Sequence, residues 1–510
     1  MPIRMVKDKS ANTGGNKIPN IGGGGGNPGS GCLTALLPLL LKNPKLLLLV
    51  LVLGAAYYFI AGPQQFAETT SAVFQTGGKF DEAVYDQAEV FEALADNVKN
   101  PLPAQVSLLE FCPKRLNQGQ QGSCVGWSSS YAARTILYAR QTGKSPNSVA
   151  FSPSSLYNQI KLPGCQGAYI QNAMETMKNK GVLPFNEFPY DETTCSIMPD
   201  NQDYNQMSAY KTKGFNRLTK SGNDYKVDML AIKQNLAQGA PVVVGMMVGG
   251  SFMSDMMGKS TWKPSQTDYY MNGFGGHALC VIGYDDDKNG GSFEIMNSWG
   301  EEWGNKGIFF ISYQDFYHFT KEAYGLYPMG NAKEAKVSQL EVDFGLVKNT
   351  DEKNIAFEQV NGNLFRTSKP IKIGDQFKIE VRNNAECYTY IFGMESDKSS
   401  YVLFPYTAKH SPYCGITGTR LFPSDYSMEA DNIGSQDFMA VVISSSPLDY
   451  NALNSAINKA PGSTYQEKLN SALANKMMSG LSFKPGNTIS FAGNLSPNTV
   501  AAVVMQIDKN

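Results

Sequence analysis

Histidine is scarce in this chain. Its 510 residues hold three, His277, His318 and His410, so imidazole-dependent chemistry has few candidates. Cysteine is sparse as well. The eight residues Cys32, Cys112, Cys124, Cys165, Cys195, Cys280, Cys387 and Cys414 form neither a dense disulfide framework nor a CxxC metal pattern. Charge of one sign is lacking too: 44 basic against 45 acidic side chains leave a net −1, without the basic footprint that nucleic-acid binding requires. Nothing in the pattern calls for a metal or a cofactor. What remains is an ordinary globular composition, 42% hydrophobic and 11% aromatic, in a chain too long for one core.

Residues 1–31 are rich in Gly, Asn and Ser, with a run from Gly22 to Gly26, and are expected to be disordered. Residues 32–62 read as a membrane anchor. Leu33 to Leu41 is apolar, Lys42-Asn43-Pro44-Lys45 interrupts it, and Leu46 to Gly62 is apolar and uncharged. As a helix the latter run spans roughly 25 Å, near the lower limit for crossing a bilayer. A buried globular helix fits less well between a basic tail and a polar segment, and a polar lead of this length is too long for a cleaved signal peptide. Arg4, Lys7, Lys9, Lys17, Lys42 and Lys45 against Asp8 place the N-terminus in the cytosol and send the rest out as a single-pass protein, periplasmic or extracellular. Residues 63–103 read as a stalk: Phe80, Val84, Phe91, Leu94 and Val98 make a helical stripe among acidic residues. A solvated spacer, a dimerising helix and a short inhibitory pro-segment all fit. Pro101 and Pro103 mark a boundary. From about 340 to 510 short strands take over: Phe377, Ile379 and Val381 alternate with Lys378 and Glu380, and short apolar runs stand at Tyr388–Phe392, Tyr401–Phe404, Met439–Ile443 and Val500–Ile507. A helical stretch from Asn451 to Met478, broken near Pro461-Gly462, interrupts them. This predicts a β-sandwich.

Residues 104–330 carry the chemistry. Gln118 to Ser123 is a glycine-containing loop that enters an apolar-periodic helix ending at Gly143, so Cys124 falls in the first turn. Unpaired N–H groups and the helix dipole there predict a lowered thiol pKa, and a thiolate is the nucleophile that peptide cleavage needs. Gly275-Gly276-His277 leads into a buried strand. A turn at Asp285 to Gly291 and a returning strand end at Asn297. A hairpin centred near residue 287 sets His277 opposite Asn297, where an amide oxygen can fix the imidazole tautomer.

Together these segments resemble the papain-like cysteine peptidases over most of residues 104–330. Gln118 stands six residues before Cys124, as the family's oxyanion glutamine does. Asn297-Ser298-Trp299-Gly300-Glu301-Glu302-Trp303-Gly304 resembles its Asn-Ser-Trp-Gly-x-x-Trp-Gly signature. Gly164-Cys165-Gln166-Gly167-Ala168-Tyr169 resembles its Gly-Cys-Asn-Gly-Gly-Tyr stretch, whose backbone pairs with substrate. The resemblance implies an α+β fold: a papain-like catalytic domain with a helical lobe and a β-barrel-like lobe, here followed by the sandwich and preceded by a transmembrane helix. It implies Cys124 as nucleophile, His277 as base, Asn297 as orienting group and Gln118 as oxyanion donor. Trp299 would cover the His–Asn bond, and Gly167, Ala168, Tyr169 and Gly276 would border a peptide or protein substrate.

The chain also departs from the family. Val125 follows the nucleophile where an aromatic is usual, Ala168 replaces a glycine, and no long pro-segment is evident. The half-cystine positions at Cys165 and Cys195 lack their usual partners, Gln121 and Asn158 standing there, which implies a rearranged Cys165–Cys195 disulfide; Cys387–Cys414 is a second candidate. An insertion around Ser251–Asn272 accounts for the long Cys124-to-His277 spacing. His410 reads as a solvated loop histidine. Gly374 through Pro447-Leu448 resembles an uncharacterised β-sandwich module appended to bacterial enzymes, which suggests an envelope partner. The expected function is a cysteine endopeptidase; the alternatives are a non-catalytic peptide-binding scaffold and another amide acyl-transfer on the same fold.

Overall fold

The computed structural model describes residues 3–8, 74–96, 98–219, 226–327, 339–478, 480–494, 496 and 498–510. The expected anchor, including 46–62, lies outside them. Among the described residues no helix is long and apolar enough to cross a membrane.

Residues 104–327 fold as two lobes around a cleft. The helix that begins at Cys124 runs as α over Cys124–Gly126, widens to π over Trp127–Arg134 and returns to α over Thr135–Thr142. Gly143 ends it in the left-handed conformation, φ 66°. Pro153–Ile160 and Ile170–Asn179 pack beside it, the former capped by Ser152 on the Ser155 N–H. The other lobe is an eight-stranded sheet in the order Gly214–Arg217, Thr320–Tyr327, Val242–Val248, Gly275–Asp285, Ser292–Met296, Ile308–Ser312, Thr261–Trp262, with Gln105–Ser107 also on Gly275–Asp285. The run from His277 to Tyr284 is buried throughout, so the strand reads as a continuous apolar run rather than an alternating one.

The hairpin register differs from the expected one. Ser292 pairs with Asp285, a bulge follows between Glu294 and Ile295, and Met296 pairs with Cys280. His277 is thus offset along the ladder from Asn297 and pairs instead with Met246. At the Met296–Cys280 register, position 297 would face 279. Two residues is a full side-chain period, so His277 stays on the same face. The Ser251–Asn272 insertion packs on this lobe, with Phe252 and Trp262 buried.

Residues 339–510 supply all seven strands of one sheet and six of a second, packed on it, whose seventh strand is Ile3–Lys7. Along Gln436–Ser444 and Val500–Asp508, Val441, Ile443, Val503 and Met505 face the opposite sheet, whereas Ala440, Val442, Ala502 and Val504 face the helices Tyr450–Lys459 and Tyr465–Leu473. Burial on both faces explains why these two strands lack alternation. The expected strands and the helix break near Pro461-Gly462 are in place.

Three expectations need correction here. Ile3–Lys7, assigned to a disordered tail, pairs antiparallel with Tyr426–Ala430 of the sandwich, and Asp8 forms an ion pair with the buried Lys378. Residues 80–98 are not one stalk helix: only Glu82–Tyr85 is helical, Phe91 and Leu94 are buried, and Val98 is 80% exposed. His410 lies in a short strand, His410–Ser411, paired with Val90–Phe91.

Candidate active site

The start of the Cys124 helix meets the Gly275–Asp285 strand at the cleft. Ala278 donates its backbone N–H to Cys124 Sγ at 3.4 Å, which brings the sulfur to the residue beside His277. His277 Nε2 lies 2.8 Å from Asn297 Oδ1. The same Oδ1 accepts from Ser298 N at 2.8 Å, which fixes the amide with its oxygen toward the ring. Nε2 therefore carries the hydrogen, and Nδ1, which has no hydrogen-bond partner, is left bare as an acceptor. Trp299 stacks on the imidazole with ring centroids 4.5 Å apart, shielding the His–Asn bond from water. Gln118 Oε1 accepts from Ser298 Oγ at 2.6 Å, so its amide nitrogen points into the cleft. Cys165 and Cys195 are joined in a disulfide that ties down the loop ahead of Gly167. No cluster of metal-ligating side chains occurs among the described residues.

The cleft is filled by the chain's own residues 74–79. Gly78–Lys79 pairs in parallel with Ala168–Tyr169. Gly77 donates to Gly276 O at 3.2 Å and accepts from Ala168 N at 2.9 Å. The Gln75 carbonyl accepts from Gln118 Nε2 at 3.1 Å and from Trp299 Nε1 at 3.0 Å, so this oxygen stands where a substrate oxyanion would be held. Phe74 stacks on Trp299. Every residue expected to border substrate, from Gly167 to Tyr169 with Gly276 and Trp299, lies against this strap or the sulfur beneath it.

Two adjacent glycines let the strap lie this close. A Cβ on Gly77 would meet Gly122 O at 2.0 Å, and one on Gly78 would meet His277 N at 3.1 Å. The fit is reciprocal, since a Cβ on Gly167 or Gly276 would meet a strap carbonyl oxygen at 2.2 Å.

Burial in the filled cleft inverts the expected electrostatics. Burial pushes the Cys124 thiol up to about 11, although the N–H groups of Ala278, Val125, Gly77 and Gly78 pull it down. Burial pushes His277 down to about 4, against the favourable bond to Asn297. The lowered thiol expected from the helix terminus is thus corrected: desolvation under the strap outweighs the local dipole, and the proton stays on sulfur. Cys387 and Cys414 face each other across paired strands but are free thiols, not the suggested disulfide.

Sequence reasoning missed Gln75, Gly77, Gly78 and Ser298 as site residues. A Gly-Gly pair upstream of a cleft is a faint signal, because recognition through the main chain leaves no side-chain pattern.

Residues 110–327 match the family described as papain family cysteine protease. Residues 371–447 match a domain of unknown function (DUF4384). The chain is 30% identical over 207 residues to an uncharacterized peptidase C1-like protein of Acanthamoeba polyphaga mimivirus, covering 39% of this chain and 64% of that protein. It is 31% identical over 204 residues to cathepsin K of Gallus gallus, covering 38% and 54%. Xylellain, a cysteine protease from Xylella fastidiosa, aligns at 23% identity with a TM-score of 0.42, over 51% of this chain and 97% of that one. The chain spans between half and two thirds of the length of these curated relatives. Residues 110–327 thus form a domain similar to the papain family of cysteine proteases, followed by a β-sandwich module.

Proposed function

We propose that this chain is a cysteine endopeptidase held in a latent form by its own residues 74–79. The observation that carries this reading is the imidazole of His277: Nε2 is held by Asn297, Nδ1 is bare, and the sulfur of Cys124 touches the next backbone N–H. Once the strap leaves, water enters the cleft and the burial that separates the two proton affinities is relieved. The proton on Cys124 Sγ then passes to His277 Nδ1, and the sulfur attacks the scissile carbonyl carbon. Gln118 Nε2 and the Cys124 N–H receive the oxyanion, a contribution of roughly 3–4 kcal/mol per donor in comparable sites. His277 gives its proton to the leaving nitrogen as the C–N bond breaks, leaving a thioester. Water then attacks, its proton passes through His277 back to sulfur, and the acid is released.

The strap does not present itself for cleavage. It turns the N–H groups of Gly77 and Gly78 toward the sulfur and runs parallel to Ala168–Tyr169. An epoxysuccinyl peptide probe tests the reading. The intact chain should label slowly and Gly77→Ala rapidly, at Cys124 alone. A folded Gly77→Ala chain that never labels would favour the peptide-binding scaffold. Products that lack new amino termini would favour another acyl transfer.

We further propose that residues 46–62 anchor the chain in a membrane, with the protease domain exposed outside. The apolar run supports this. The pairing of Ile3–Lys7 with Tyr426–Ala430 favours a second arrangement, with both flanks of the run on one face, because a strand cannot pair through a bilayer. Protease protection of tags at both termini in sealed vesicles separates the two: opposite sides for a single crossing, the same side otherwise.

A further inference from the structure

The strap does not stop at the cleft. Beyond it, residues 85–96 and 98–100 run between the protease domain and the sandwich, and the sandwich holds them from Val90 onward. Val90 donates to Lys409 O at 2.9 Å as Val90–Phe91 pairs with His410–Ser411. Glu92 is 8% exposed; its carboxylate accepts from Ser424 N at 2.8 Å, and its carbonyl accepts from Arg420 Nε at 3.1 Å. Ala95 donates to Thr419 O at 2.8 Å. Asn100 accepts from Thr419 N at 2.8 Å and donates back to Thr419 O at 3.0 Å. Lys99 pairs with Glu380 at 2.8 Å. Phe91 and Leu94 share one apolar cluster with Tyr327 of the protease domain and Tyr413 and Ile416 of the sandwich.

The sandwich surface is built for this occupant. Arg420 is buried; its two terminal nitrogens donate to Asn383 Oδ1 and Ile416 O within the sandwich, while Nε faces the chain lying across it. Without the Glu92 carbonyl that buried N–H loses the acceptor seen here, at a real desolvation cost. A Cβ on Gly418 would meet Asn100 Oδ1 at 2.5 Å, so the strand edge is pared down to let the strap approach. On the opposite side Arg217 pairs with Asp86 at 3.0 Å and Gln234 donates to Ala95 O at 2.9 Å.

We propose that the sandwich, part of which matches a domain of unknown function, works as the clamp of the inhibitory strap. By fixing residues 90–100 it keeps Gly77 and Gly78 seated over Cys124. This rests on the reading of a latent protease. With the clamp made, a strap that slips out stays tethered about a dozen residues away at high local concentration and rebinds. With the clamp open, the tether beyond the cleft reaches to Pro103, about twice as long, and the strap keeps only its contacts with the protease domain, such as Asp86 with Arg217.

The test uses the full chain, with the Cys124 labelling rate read beside hydrogen exchange. Leu94→Asp puts a charge into the shared cluster without touching the cleft. The Val90 and Ala95 amides should then lose protection while those of Val441 and Val503 keep it, and labelling should speed up roughly threefold, the order expected for doubling the loop. If Leu94→Asp also exposes Val441, Asn100→Ala replaces it. Free exchange across residues 90–100 with labelling at the native rate would overturn the clamp. Gly77→Ala, which unseats the strap directly, separates the two readings: if it too fails to label, the latent-protease reading is what has failed.

Discussion

Replacing Glu92 with glutamine should remove a pH dependence from the strap. Burial, with a further push from Asp425, raises this carboxyl from 4.5 to about 7, although the Ser424 N–H and the Tyr406 hydroxyl favour its charged form. The docked strap therefore holds a proton between those two values that the released strap has given up. Docking is at full strength below pH 4.5, weakens as pH rises, and levels off above about 7. A difference of that size corresponds to about 3 kcal/mol, or roughly a hundredfold change in the opening equilibrium. Glutamine keeps an oxygen for Ser424 N and carries no proton to lose. Glu322 and Asp437 are also raised, to about 8 and about 6, so global unfolding would mix several groups. Native-state exchange of the Ala95 amide, corrected for the intrinsic rate, isolates the strap. Its protection should fall by up to about a hundredfold from pH 4.5 to 8 in the wild type and stay nearly flat in Glu92→Gln. Parallel curves for the two proteins would refute the argument that Glu92 is neutral when docked.

Three more outcomes are expected. In a strap-opened background, Asn297→Ala should lower kcat by about a hundredfold with KM little changed, because His277 loses the oxygen that fixes its tautomer; steady-state kinetics on a peptide ester and amide would check this. Ser298→Ala frees Gln118 Oε1 and should cost about tenfold in kcat, less than the hundredfold or more of Gln118→Ala, since the amide can still swing into place. A peptide map taken after alkylation under denaturing conditions should recover Cys387 and Cys414 as thiols and Cys165–Cys195 as a disulfide.

Much of the site was legible because it is written in side chains at fixed spacing: a cysteine entering a helix, a histidine before a buried strand, an asparagine where the next strand ends. The sandwich strands were legible for the same reason. The hairpin register was not, because a bulge between Glu294 and Ile295 leaves no mark on the hydrophobic pattern. The strap was not, because Gly77 and Gly78 are read through their main chain. Phe91 and Leu94 looked like one face of a stalk helix, yet their apolar partners come from two domains, a tertiary context that periodicity cannot carry. The thiol was misjudged for a related reason: the helix terminus is local, whereas the burial that overrides it is a property of the folded whole.

The most direct test of the account is the peptide products of the strap-opened chain. Gly77→Ala would be incubated with a mixture of unlabelled peptides and the new amino termini identified by mass spectrometry, beside Gly77→Ala/Cys124→Ala and the unaltered chain. The account predicts abundant new termini from Gly77→Ala, few from the unaltered chain and none once Cys124 is gone. Equal cleavage with and without Cys124, or no cleavage by a Gly77→Ala chain whose exchange pattern shows the strap released, would contradict it.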